Sequence, residues 1–297
     1  MKDFPIPVVA FGPGSQVEDE TLEYMDMPKG MDTYRPPVLP EPEAIAERAG
    51  AHRALRETLA ALGATRADGL PRRVSLLGFG AADLALVNQV MGEGEVGARV
   101  TPAAEGGAEL RVQESVFAGV WRVMRLQGGA LVEDYLEVGP VPSALREAAM
   151  EDVAARRLPP LPAPLPEGVM NAPMLLNEIE DHWHDWKPGQ APRVVNLTLL
   201  PMGVPDISFL DHQLGTGRVL ILSRGYGNCR ITNTRMPQCW RVVYYNSQDT
   251  VILNTVEVID MPEVACAARE DLEDSHERLA EVLQWVDGAL APQEAAA

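Results

Sequence analysis

The sequence predicts an α+β fold built from two tandem homologous units, each an antiparallel sheet with helices packed on one face, preceded by an extended N-terminal tail. Three observations carry this: an internal duplication, the same order of helical and alternating segments in both copies, and two proline-rich stretches that punctuate the chain. Residues 1–42 hold eight prolines and read as the tail, and Pro159 to Pro173 hold six and read as a linker. The expected organisation is therefore a first repeat over 43–158, a linker over 159–173 and a second repeat over 174–291.

The duplication is visible as three blocks in one order. ADLALVNQVMGEGEV (82–96) lies over PDISFLDHQLGTGRV (205–219), matching Asp83 with Asp206 and Gly92 with Gly215. LRVQESVFAGVWRV (110–123) lies over CRITNTRMPQCWRV (229–242) without a gap, matching Trp121 with Trp240 and Arg122 with Arg241. DYLEVGPVP then lies over NTVEVIDMP, matching Glu137 with Glu257.

Each element can thus be read once and checked in the other copy. Ile45, His52, Leu55, Leu59 and Leu62 recur at helical spacing, as do Leu175, Ile179, His182 and Trp186, so each repeat opens on a helix. The runs RRVSLL and RVVNLTLL read as β. A short helix follows, with Asp83 or Asp206 in its first turn and Gly92 or Gly215 as its C-cap. Alternating runs come next, with Gly128-Gly129 as a tight hairpin turn. A last helix from Val264 onward carries Leu272, Leu279, Leu283 and Val286 on one face.

Composition limits the partners. The chain has 297 residues, 46% of them hydrophobic, enough for two cores. Its formal charge of −18 opposes nucleic acid, whose binding draws on Lys and Arg against phosphates, and opposes an anionic membrane surface. No membrane-length apolar run and no secretory leader pattern is read, so a cytoplasmic protein with reduced thiols is expected.

The chemistry-bearing residue types mostly have a plain reading. Cys229 faces Leu110 in the other copy and Cys239 faces Val120, positions where a small apolar side chain suffices. Cys229 alone follows a glycine-bearing approach, RGYGN, and Arg224 and Arg230 could activate its thiol if they point toward it. Cys266 faces Arg146, which suggests an exposed helix position. The three cysteines lack metal-site spacing, and the histidines of HWHDW read as helix-face residues. GFGAADL lacks the third glycine of a dinucleotide fingerprint, and no hydrolase, metalloprotease or phosphate-loop motif occurs, so neither a catalytic residue, a metal nor a cofactor is assigned. Arg122 with Glu137, and Arg241 with Glu257, read as scaffold ion pairs on adjacent strands, alongside the structural Trp121 and Trp240.

LPMGVPDISFLDHQLGTGRV, RGYGNCRITNT, CWRVVYYNS and ILNTVEVIDMPEV resemble the carboxy-terminal module of the HupH/HyaF/HoxQ family, accessory proteins encoded with uptake nickel–iron hydrogenases. The amino-terminal stretch FGPGSQ to PEPE is similar to that family's start, so the resemblance spans nearly the whole chain. It implies a non-enzymatic, cytoplasmic chaperone of the hydrogenase small-subunit precursor, the subunit with iron–sulfur clusters and a twin-arginine signal, working beside a thioredoxin-like accessory protein. The expected contact residues lie in the second repeat: Arg224, Gly225, Tyr226, Gly227, Asn228, Cys229, Arg230, Asn233, Tyr245 and Asn246. The alternative is a thiol-dependent carrier of iron, a cluster or electrons acting through Cys229. A third reading is a clamp in which the acidic tail meets the basic start of the export signal.

Overall fold

The structure is a computed structural model that describes residues 48–154, 157–225 and 227–290, without the side chains of 286–290. The predicted tail over 1–42, with Ile45, Tyr226 and the side chain of Val286, lies outside the described residues.

The first repeat runs α1 (Ala49–Asp68), β1 (Arg72–Ser75), α2 (Ala81–Met91), β2 (Val96–Val100), β3 (Ala108–Glu114), β4 (Val120–Gln127), β5 (Ala130–Val138) and α3 (Ser143–Glu151). The second repeats the order as α4 (Ala172–Asp185), β6 (Arg193–Asn196), α5 (Val204–Leu214), β7 (Val219–Ser223), β8 (Asn228–Asn233), β9 (Cys239–Tyr245), β10 (Val251–Val258) and, after a short 3-10 turn, α6 (Arg269–Leu290). Strands pair antiparallel in the order β1-β5-β4-β3-β2 in one repeat and β6-β10-β9-β8-β7 in the other. The two halves therefore share one topology. Among the described residues no helix is long and apolar enough to cross a membrane.

The compact units cut across the repeats. Among the described residues, one joins 48–144 to those from Cys266 onward, and the other is Leu145–Ala265. Leu272, Leu279 and Leu283 of α6 thus sit in the same core as Leu55 and Leu62 of α1, Val87 of α2, and Phe117 and Leu136. Beyond α3, in turn, Asp152 accepts hydrogen bonds from Arg218 N and Asn233 Nδ2, and Ala154 N–H donates to Arg235 O. The closing helix of each repeat is thus built into the unit formed by the other repeat's strands. Periodicity gives a helix its apolar face but not the surface that covers it.

Helices cover one face of each sheet, through Val74, Val120, Leu136 and Val138 in one unit and Val195, Cys239 and Val256 in the other. The opposite faces are buried too: Val112, Trp121 and Val123 in one unit, and Ile221, Ile231, Trp240 and Val242 in the other. This is why β9 reads as a nearly continuous apolar run.

The two short helices end as their glycines predict, with Gly92 N–H donating to Asn88 O and Gly215 N–H to Asp211 O. The Gly128-Gly129 turn also holds, with φ of 56° and 81°, the two left-handed residues that a two-residue hairpin loop requires. The acidic residues behave differently. Asp206, expected to serve its own helix, accepts the N–H groups of Met170, Asn171 and Ala172 at the start of α4. Asp83 likewise accepts the N–H of Ala51 at the start of α1. Each carboxylate thus caps the repeat's opening helix, whose first N–H groups have no partner within the helix.

Burial alone would raise the pKa of Asp206, but the N–H groups of Ala172, Met170, Asn171 and Gly203 outweigh it and hold the carboxyl below its usual range. A lowered folded pKa contributes stability above the unfolded value, lost as pH falls through the folded one. Asp206→Ala should therefore cost about 2 kcal/mol at neutral pH. In urea melts the gap between variant and wild type should close in acid, and a gap independent of pH would refute the capping role.

Candidate functional site

The segment from Ser223 to Asn228 joins β7 to β8 at the end of the sheet, and the β9–β10 turn emerges beside it because Asn228 pairs with Tyr245. Arg224, Gly225 and Gly227 are exposed there, and Gly225 and Gly227 form an isolated bridge. Gly227 has φ of 98°, a conformation open to glycine and costly for other residues. Asn228 and Arg230 are half-buried, and the Arg230 guanidinium hydrogen-bonds the Tyr245 hydroxyl.

Asn246 is the turn's organiser. Its Oδ1 accepts from Gln248 N and Thr250 N, and its own N–H donates to Thr250 O. Its carboxamide oxygen is thereby committed to the fold.

Three expected contact residues are corrected. Cys229 is fully buried, Asn233 has 2% of its surface exposed and Tyr245 7%, so none presents a usable surface to a partner. Strand alternation is the cause: Cys229, Ile231 and Asn233 point to the same buried face. Asn233 is occupied, its Oδ1 accepting from Val219 N and its Nδ2 donating to Asp152. Asp152 and Arg218 went unnoticed because they are 66 residues apart, yet they pair, with Glu151 on the same guanidinium.

Burial first, and then the charge of Glu257, push the Cys229 thiol up to about 12, a hydrogen bond from the Tyr244 hydroxyl offsetting only part of the rise. Such a thiol is protonated at neutral pH, the opposite of what a nucleophile or metal ligand needs. The carrier reading of Cys229 loses its basis. Cys239, in the helix-covered core, is likewise raised to about 12 by burial. Cys266 is half-buried and lies in a bend before α6, not on the helix as expected.

The two scaffold ion pairs are also corrected. Trp121, not Arg122, stands opposite Glu137, and Trp240, not Arg241, stands opposite Glu257. Each arginine is one residue out of step with its expected partner, and one step in a strand reverses the face. Glu137 instead binds Arg73 at 2.9 Å and accepts from the N–H and hydroxyl of Ser143. Glu257 accepts from the Thr255 hydroxyl.

Arg122 pairs with Asp134 through two hydrogen bonds and donates a third to Asn88. Arg241 faces Asp211 at 3.5 Å. Asp134 corresponds to Asn254 in the repeat, and Asn88 to Asp211. Each arginine has one carboxylate and one carboxamide at these two positions, and the repeats have exchanged which element carries the charge. Trp121 and Trp240 are buried, and their indole N–H groups donate to Gly139 O and to Ile259 O respectively.

Topology and loop together define a duplicated α+β protein in which the second unit carries an exposed glycine loop. The family model described as HupH hydrogenase expression protein, C-terminal conserved region, matches residues 49–158 and again 169–286, and the chain belongs to this family. The double match falls on the two repeats.

Hydrogenase expression/formation protein HoxQ of Cupriavidus necator is 56% identical over 290 residues, spanning 96% of this chain and 99% of that protein. HupH of Rhodobacter capsulatus, with the same descriptive name, is 48% identical over 96% of this chain and 99% of its own. Hydrogenase-1 operon protein HyaF of Escherichia coli is 34% identical over 93% and 95%. The solved hydrogenase expression protein HupH from Thiobacillus denitrificans is 30% identical, covering 39% of this chain and 96% of its own with a TM-score of 0.35.

Proposed function

We propose that this protein is a non-enzymatic chaperone in hydrogenase maturation, which holds the small-subunit precursor of a nickel–iron hydrogenase in the cytoplasm until its clusters are assembled. The names of its relatives support a part in hydrogenase expression and formation, and near-complete coverage of those chains supports extending that part to this one. The observation that carries the reading is the exposure of Arg224, Gly225 and Gly227 between β7 and β8, where the first repeat has a longer exposed loop of different sequence at 101–107. An acidic protein offering an exposed loop suits a basic or cysteine-rich client, because opposite charge speeds encounter. A thioredoxin-like accessory protein is a second partner of this scheme.

The test is co-purification. The tagged protein should bring down the small-subunit precursor from cells making hydrogenase, and Arg224→Ala, which truncates an exposed contact side chain, should reduce the yield about tenfold. Failure to recover the precursor in air and at low oxygen would reject the reading. Cys229→Ala should leave capture and maturation intact while costing about 1 kcal/mol of stability. Loss of maturation with capture and folding preserved would instead restore the thiol carrier.

A further inference from the structure

A second set of exposed residues lies in the Leu145–Ala265 unit. Met170, Met174, Leu199 and Val204 are 75%, 74%, 80% and 52% exposed. Their backbones are tied together: Met170 N–H donates to Asp206, two residues after Val204, and Asn171 Nδ2 donates to Pro201 O, two residues after Leu199. Met174 follows one turn into α4. Four large apolar side chains thus meet water at one end of the unit, a cost that folding alone does not require.

The duplication supplies the comparison. Aligned on the capped N–H groups of Ala51 and Ala172, Met170 corresponds to Ala49 and Met174 to Arg53. Val204 corresponds to Ala81 through the matched aspartates. The first repeat thus has a small or charged residue at these three positions, although Leu77 is exposed in its own β1–α2 loop. Met170, Met174 and Val204 are therefore additions of the second repeat, and methionine suits an adaptable contact surface.

Charge indicates the occupant. Glu178, Asp181 and Asp185 continue from Met174 at helical spacing and are all exposed, so an acidic stripe runs along α4 from the apolar patch. His182 lies beside Glu178 at 3.6 Å. We propose that Met170, Met174, Leu199 and Val204, with the Glu178–Asp181 stripe, form a docking surface for a protein segment whose apolar residues are followed by lysines or arginines. Apolar anchors sit on the methionines, and the basic end lies along the carboxylates. This surface shares no residue with the loop proposed for client capture, so the substitution at Arg224 alters none of its side chains.

A fluorescein-labelled peptide with leucines at i, i+3, i+4 and i+7 followed by a run of lysines should bind the full chain in an anisotropy titration. Met170→Ser with Met174→Ser should weaken binding about tenfold or more, since these exposed side chains carry the apolar contact. Unchanged thermal melts are expected of this variant, and Leu199→Ser provides an independent one. Glu178→Gln with Asp181→Asn should weaken binding at low salt and flatten its salt dependence. Equal affinity for the methionine variants, or equal binding of a peptide with glutamates in place of lysines, would overturn the proposal. So would methionine variants that change the sedimentation of the protein alone, which would assign the patch to a second copy of the chain.

Discussion

Glu114→Gln should leave the protein more stable than the wild type above neutral pH, by about 3 kcal/mol, with the difference vanishing in mild acid. Glu114 is 6% exposed and stands on β3 where the second repeat has the neutral Asn233. Burial pushes its carboxyl up to about 7; the N–H groups of Gly119 and Val96 lower it in part, and the charges of Glu95 and Asp271 raise it. An unfolded glutamate titrates near about 4.3. Below that value both states are protonated and the residue costs nothing. As pH rises the unfolded chain ionises first, so folded stability falls until about pH 7, where the folded carboxyl also ionises and the loss levels off. Urea melts of both proteins at several pH values isolate this residue from the other carboxylates. Parallel curves for the two proteins would show that Glu114 reaches water or a partner cation in solution.

Gly119→Ala should cost about 3 kcal/mol or more, because backbone strain and overpacking act at one atom. Gly119 has φ of 82°, and a Cβ there would lie 2.3 Å from Leu272 Cδ2 and 3.4 Å from Ala267 Cβ. Leu272 belongs to α6, the helix that enters this unit from the far end of the chain. The substitution should therefore expose α6 first, as faster amide exchange over residues 269–285 than over the strands. Adding Leu272→Ala should return part of the loss by vacating the space. The matched residue Gln238 holds φ of 55° with a full side chain, so backbone strain is the smaller part of the cost and the clash with Leu272 the larger, and Gln238→Gly should change stability by less than about 1 kcal/mol. A silent Gly119→Ala would mean that α6 does not rest there.

The repeat made much of the fold legible. Asp83 over Asp206, Gly92 over Gly215 and Trp121 over Trp240 fixed equivalent elements, and those elements occur in one order with one strand topology. Register was less accessible. Arg122 and Glu137 look like partners in sequence, but the bulge between Arg125 and Leu126 and the turn at Gly128-Gly129 set Trp121 opposite Glu137. Loop length alone could not show this. The glycine loop was legible as a stretch unlike its counterpart in the first repeat, whereas the burial of Cys229, Asn233 and Tyr245 behind it was not, because strand alternation needs a known inner face. Met170 and Leu199 were missed for a related reason. An apolar residue near a helix start reads as core until neighbouring chain is placed around it.

The sequence by itself determined that there are two copies of one α+β unit, that Gly128-Gly129 turns a hairpin, and that Gly92 and Gly215 end their helices, since repetition, backbone chirality and side-chain periodicity are local properties. Tertiary structure alone decided that α6 completes the core of the first repeat, that Asp206 caps α4, and that Arg122 and Arg241 draw their carboxylates from different elements. Those outcomes depend on which surfaces meet across long stretches of chain, and an apolar stripe or a charge states only what it needs, not where it will be supplied.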